Sequence, residues 1–141
     1  MKTRIFKAMA AGMALIVLGF FTMSFTNAPQ QQKGKPWEIP AKYKNMKNPH
    51  AGDKSIEALG KAGWAKHCKS CHGNKGLGDG PKAKALKTFP GDFSTKQFQA
   101  YTDGEIYYMS FIGRDEMPNF EKKITTEEER WAIVNLIRTM K

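Results

Sequence analysis

The chain has 141 residues, with 23 Lys and Arg against 13 Asp and Glu, a formal net charge of +10, and 40% hydrophobic and 26% charged residues. This is the balance of an ordinary globular chain of one domain, and it excludes collagen-like, wholly disordered and multispan membrane classes. Two cysteines also exclude a disulfide-rich scaffold.

Lys2, Arg4 and Lys7 precede an uncharged apolar run over residues 8–25, which includes Leu15, Ile16, Val17, Leu18, Phe20 and Phe21. A basic start followed by such a run is an export pattern, because the positive end stays cytoplasmic while the run enters the bilayer. Residues 1–28 are therefore expected to be an export signal cleaved after Ala28 or an uncleaved membrane anchor. Either form places the remainder in the periplasm, free or tethered to the inner membrane.

Residues 29–54 read as an extended arm or linker, since Pro29, Pro36, Pro40 and Pro49 interrupt regular structure. Its Trp37 and Ile39 are apolar enough to dock on another surface. Residues 55–141 form the expected folded domain. A first helix is predicted from Ser55 as N-cap, with Ile56, Leu59, Gly60, Gly63, Trp64 and His67 on one face. It should end near Cys71 and His72, before a loop containing Gly73, Gly76, Gly78 and Gly80. A short helix is predicted after Ser94. Another should run from a capping box formed by Thr102 and Glu105 to a stop at Gly113. The last starts at Thr126, with Glu127, Glu128 and Glu129 favouring the positive end of its dipole. No segment reads as a strand, so the fold class is all-α.

Both cysteines lie in Cys68-Lys69-Ser70-Cys71-His72, the spacing of a c-type haem attachment site. At a helix end, two thiols three residues apart can each add to one vinyl group of a porphyrin, and the next residue's imidazole can reach the iron. Such a pentapeptide arises by chance in about one chain of this length in a thousand. The competing readings are a disulfide, a zinc site completed by His50 and His67, and an incidental pair of thiols. A thioredoxin-type site expects a βαβ setting that the pattern lacks. A zinc site lacks finger-like spacing.

With these residues in place, the stretch from about Ser55 to Met140 resembles a class I mono-haem cytochrome c of the bacterial periplasmic kind. Gly60 and Trp64 precede Cys68 as the family's first-helix glycine and aromatic do. Gly73, Gly76, Gly78, Asp79, Gly80 and Pro81 resemble its loop after the haem motif, and Gly113, Met117 and Pro118 its sixth-ligand loop. Trp131 and the residues up to Ile137 resemble its terminal helix. The resemblance implies about three to five helices around one haem c, attached through Cys68 and Cys71. It also implies His72 as one axial ligand, with the Pro81 carbonyl accepting its second N–H. Close packing of the first and last helices at Gly60, flanked by Trp64 and Trp131, is a further expectation.

The downstream thioethers are Met109, Met117 and Met140, and no histidine follows His72. Met109 falls on a helix face with Ile106, and Met140 belongs to the terminal apolar stripe. Met117 follows the helix stop and precedes Pro118, so it is the expected sixth ligand; a water-occupied iron and another residue are the alternatives. Histidine and methionine ligation disfavours catalysis at the metal, so the protein is expected to carry single electrons rather than act as an enzyme. Two alternatives are a cytochrome subunit of a larger oxidoreductase, docked through the arm, and a haem sensor or peroxidase-like protein with an open iron. Lys66, Lys69, Lys75, Lys82, Lys84 and Lys87 against Asp79 predict a basic rim that meets acidic patches on redox partners, not nucleic acid.

Overall fold

The computed structural model describes Gln31 and residues 33–141. The export or anchor segment expected over residues 1–28 lies outside the described residues. Among the described residues there are six α-helices, one 3₁₀ turn and no strand: α1 Ala41–Lys44, α2 Glu57–His67, α3 Lys69–His72, the 3₁₀ turn Ala83–Ala85, α4 Lys96–Gln99, α5 Asp103–Phe111 and α6 Glu127–Arg138. No helix among them is long and apolar enough to cross a membrane.

The two long C-terminal helices start where their caps dictate. Thr102 accepts a hydrogen bond from the Glu105 amide, and the Glu105 carboxylate accepts one from the Thr102 amide at 2.7 Å, which completes the capping box of α5. Thr126 caps α6 by accepting from the Glu129 amide, with three glutamates in the first turn. The start of α2 differs from the expectation. Ser55 does not cap it; the Ser55 amide and hydroxyl both donate to Asp53 Oδ1, at 2.9 and 2.7 Å, and Ile56 takes the N-cap position without a side-chain cap. A short polar side chain that finds a local partner in a turn is no longer free for the helix. The short helix expected after Ser94 is α4, and Thr95 caps it by accepting from the Phe98 amide.

α2 and α6 cross at glycine positions. A Cβ added to Gly60 would lie 2.8 Å from the Ala132 carbonyl carbon and nearer still to its oxygen, so the backbones approach as only glycine allows. Ile106, Phe111, Ile124, Ile133, Val134 and Ile137 fill the interior behind this crossing. Both tryptophans are buried: Trp131 packs on Tyr107 with ring centroids 4.7 Å apart, and Trp64 faces Phe93.

Segment 31–54 is more ordered than an extended linker and belongs to the same compact unit, Gln31–Lys141. It contains α1, whose Tyr43 ring stands 4.7 Å from Tyr108 of α5, and Ile39 is buried. Gly104 of α5 makes room for α1, since a Cβ there would meet the Tyr43 carbonyl oxygen. Asn48 Nδ2 donates to Asp103 Oδ2 at 3.0 Å and to Asn135 Oδ1 at 2.8 Å, and Asn135 Nδ2 donates to the His50 carbonyl at 2.6 Å. The prolines block long helices, as expected, but apolar and amide side chains between them seat the segment on α5 and α6.

Candidate haem site

The attachment motif sits where α2 gives way to α3. Cys68 terminates one helix and opens the other, and its carbonyl accepts from the amides of Cys71 at 3.2 Å and His72 at 3.0 Å. α3 then stops at Gly73, whose φ of +80° favours glycine. The glycine-rich loop folds back onto the free carbonyls of this short helix. Gly78 donates to His72, Gly80 to Cys71 and Lys82 to Ser70, at 3.0, 3.2 and 2.8 Å. Trp64 Nε1 adds a buried hydrogen bond to the Gly73 carbonyl at 3.1 Å, which links α2 to the loop.

This folding-back gathers Cys68, Cys71, His72 and Pro81. Both cysteines are free thiols, Cys68 buried and Cys71 half-buried. Burial, then the neighbouring Cys71, pushes the Cys68 thiol up to about 12. His72 is buried, with Phe93 4.8 Å and Trp64 6.0 Å away between ring centroids. Burial pushes its imidazole down to about 4, so it is neutral at physiological pH and keeps a lone pair. Its Nδ1 is buried without a hydrogen-bond partner. The Pro81 carbonyl therefore does not take up that nitrogen, contrary to the expectation. Pro81 lies exposed between Gly80 and Lys82, which are both anchored to the backbone of α3.

Met117 comes from a different element, the turn after α5. Gly113 has a φ of +69°, and a Cβ there would lie 2.5 Å from the Pro118 carbonyl oxygen. The Met117 amide donates to the Arg114 carbonyl at 2.8 Å, closing the turn, and the half-buried Met117 packs against the core. Met109 is buried core, as expected. Met140 is half-buried and lies near Gly76 of the glycine-rich loop. Among the described residues no group of three or more His, Cys, Asp or Glu side chains is gathered to hold a bare metal ion. His50 lies 3.8 Å from Asp53, and His67 rests against Phe120 with ring centroids 5.8 Å apart.

One residue of the site, and the partners of another that its place near Met117 marks out, were not legible in the sequence. Phe93 is the ring nearest His72, yet nothing in its local sequence sets it apart from other aromatics. Arg114 carries the segment before Trp37 on its guanidinium, with Nη1 donating to the Pro36 carbonyl at 2.7 Å. No spacing rule links positions so far apart.

The donor set fits a covalently held haem: two free thiols three residues apart, followed directly by a buried imidazole. A family model for cytochrome c matches residues 57–141. The chain belongs to the cytochrome c family. It is a haem-based electron-transfer protein, and the family implies a covalently bound haem c, with which the spacing of the free cysteines Cys68 and Cys71 is consistent. No curated protein matches the chain.

Proposed function

We propose that the protein is a mono-haem, class I electron carrier in which His72 and Met117 are the axial ligands. The observation that carries this reading is the buried imidazole of His72 directly after two free thiols three residues apart. When bound, the haem supplies a reversible one-electron couple. His72 offers a nitrogen lone pair because burial keeps it unprotonated. The return loop from Gly73 to Lys82 holds the short helix that carries Cys71 and His72, through the carbonyls of Ser70, Cys71 and His72. Met117, on a turn fixed by Gly113, offers a soft thioether, which favours reduced iron and raises the potential above that of two histidines. With both axial positions supplied by side chains, no position is left for a substrate, which supports electron transfer over catalysis.

The basic start and the apolar run over residues 8–25 support export, with the domain in the periplasm, free or tethered. Lys66, Lys69, Lys75, Lys82, Lys84 and Lys87 are all exposed and border the motif and its loop. They support docking to redox proteins with acidic surfaces. Segment 31–54 uses Ile39, Tyr43 and Asn48 on its own domain, which favours a self-contained carrier over a subunit docked through that arm.

Potentiometric titration of the haem-loaded full chain and of its Met117→His variant tests the ligand set. One reversible one-electron wave is expected, moving to markedly lower potential when imidazole replaces the thioether. A wave that Met117→His leaves in place overturns Met117 as ligand.

A further inference from the structure

Three segments distant in sequence converge at the turn that carries Met117. The Arg114 guanidinium stacks over the Trp37 ring at 4.0 Å from its centroid, and its two terminal nitrogens donate to the carbonyls of Pro36 and Lys35. Trp37 in turn sets its edge on Tyr108 of α5, with ring centroids 6.3 Å apart. From the other side, the Glu116 carboxylate accepts from the amides of Lys87 at 3.1 Å and Thr88 at 2.9 Å. Gly34 lies between the two grips, with its Cβ position 3.4 Å from Thr88 Cγ2 and 3.7 Å from Arg114 Nη2.

Two backbone hydrogen bonds close the turn, from the Phe120 amide to the Phe111 carbonyl at its base and from the Met117 amide to the Arg114 carbonyl at its tip, both 2.8 Å. Gly113 and Asp115 both have positive φ, at +69° and +49°. A turn of this kind is held in one geometry mainly by what surrounds it. Arg114 is the junction: its carbonyl receives the Met117 amide while its side chain is held by residues about 78 positions upstream.

We propose that residues 34–37 act as a strap that holds the Met117 turn closed, with Trp37 and Arg114 as positioning residues for the sixth ligand. This rests on Met117 as the ligand. Loss of the stacked, forked guanidinium contact removes one cation–π and two charge-assisted hydrogen bonds, enough to raise the open population of the turn about tenfold or more. A thioether that spends more time away from the iron admits an external ligand correspondingly faster.

The test uses the ferrous, haem-loaded full chain mixed with carbon monoxide, in the wild type and in Met117→Ala, Trp37→Ala and Trp37→Phe. Amide hydrogen exchange at Met117 is the readout independent of the haem ligand. The expected result is fast binding in Met117→Ala, binding about two- to fivefold faster than wild type in Trp37→Ala, which loses the cation–π contact alone, and near wild-type behaviour in Trp37→Phe, which keeps a ring face. The Met117 amide should exchange faster in Trp37→Ala. If Met117→Ala admits carbon monoxide while Trp37→Ala matches wild type in both readouts, the strap is overturned and the ligand stands. If Met117→Ala binds no faster than wild type, the ligand and the strap both fall. Should Trp37→Ala not fold, Arg114→Gln replaces it, since that side chain is partly exposed and the shorter, neutral amide loses the ring contact and both hydrogen bonds, with binding and amide exchange expected about tenfold faster than wild type.

Discussion

Substitution of Gly60 by alanine probes the crossing on which the domain is built. The added methyl would stand 2.8 Å from the Ala132 carbonyl carbon and closer to its oxygen, both backbone atoms that cannot rotate away. Relief requires α2 and α6 to move apart, and overpacking of this kind costs about 1–3 kcal/mol, with a rigid backbone contact at the upper end. Alanine in place of a mid-helix glycine returns about 1 kcal/mol of helix propensity. The net expectation is a loss of about 2 kcal/mol, read as a lower midpoint in guanidinium denaturation of the haem-loaded chain. Two companions sharpen the test. Gly63→Ala meets the Ile133 Cδ1 methyl at 2.7 Å, the far end of a flexible side chain, so its cost should stay below about 1 kcal/mol. Ala132→Gly should not rescue Gly60→Ala, because the obstruction is the Ala132 backbone and its Cβ is 3.4 Å away. A Gly60→Ala variant as stable as wild type, or one rescued by Ala132→Gly, would refute the backbone-contact reasoning.

Trp64→Phe keeps most of the ring but removes the donor to the buried Gly73 carbonyl, so a loss of about 1–3 kcal/mol is expected in thermal denaturation. Asn48→Ala releases Asp103 and Asn135 together and should cost about 1–2 kcal/mol, with faster amide exchange confined to residues 45–54 in the first instance. Tyr107 donates to Glu127, accepts from Arg130 Nη1 at 2.8 Å, and has its hydroxyl pushed up by burial to about 12 from an ordinary 10.0. Its contribution is complete below pH 10 and is lost as pH rises towards about 12, because the unfolded chain ionises first. Denaturation at a series of alkaline pH values should therefore show a steeper decline for wild type than for Tyr107→Phe; parallel declines would remove Tyr107 from the account.

Residues whose chemistry is local were legible in the sequence. Cys68, Cys71 and His72 carry their meaning in adjacent positions, the Thr102 and Glu105 box reads at fixed spacing, and Gly60 falls on the face shared with Trp64. What escaped depends on long-range partners or on competition between nearby ones. Ser55 has the composition of an N-cap, yet Asp53 two residues earlier captures its amide and hydroxyl. The prolines of segment 31–54 correctly forbid a long helix. They do not reveal that Tyr43 stacks on α5 or that Asn48 joins α5 to α6, since both depend on where distant helices lie. Phe93 and Arg114 belong to the same group: one reaches His72 and the other reaches the Lys35 and Pro36 carbonyls only through tertiary folding.

The intact mass of the full chain under denaturing, non-reducing conditions, after export in cells with haem-attachment machinery, tests the central claim most directly. Covalent attachment through Cys68 and Cys71 predicts the polypeptide plus one haem, with no thiol left to react with an alkylating reagent. A polypeptide mass without haem, with two reactive thiols or with the two hydrogens of a disulfide missing, would contradict it.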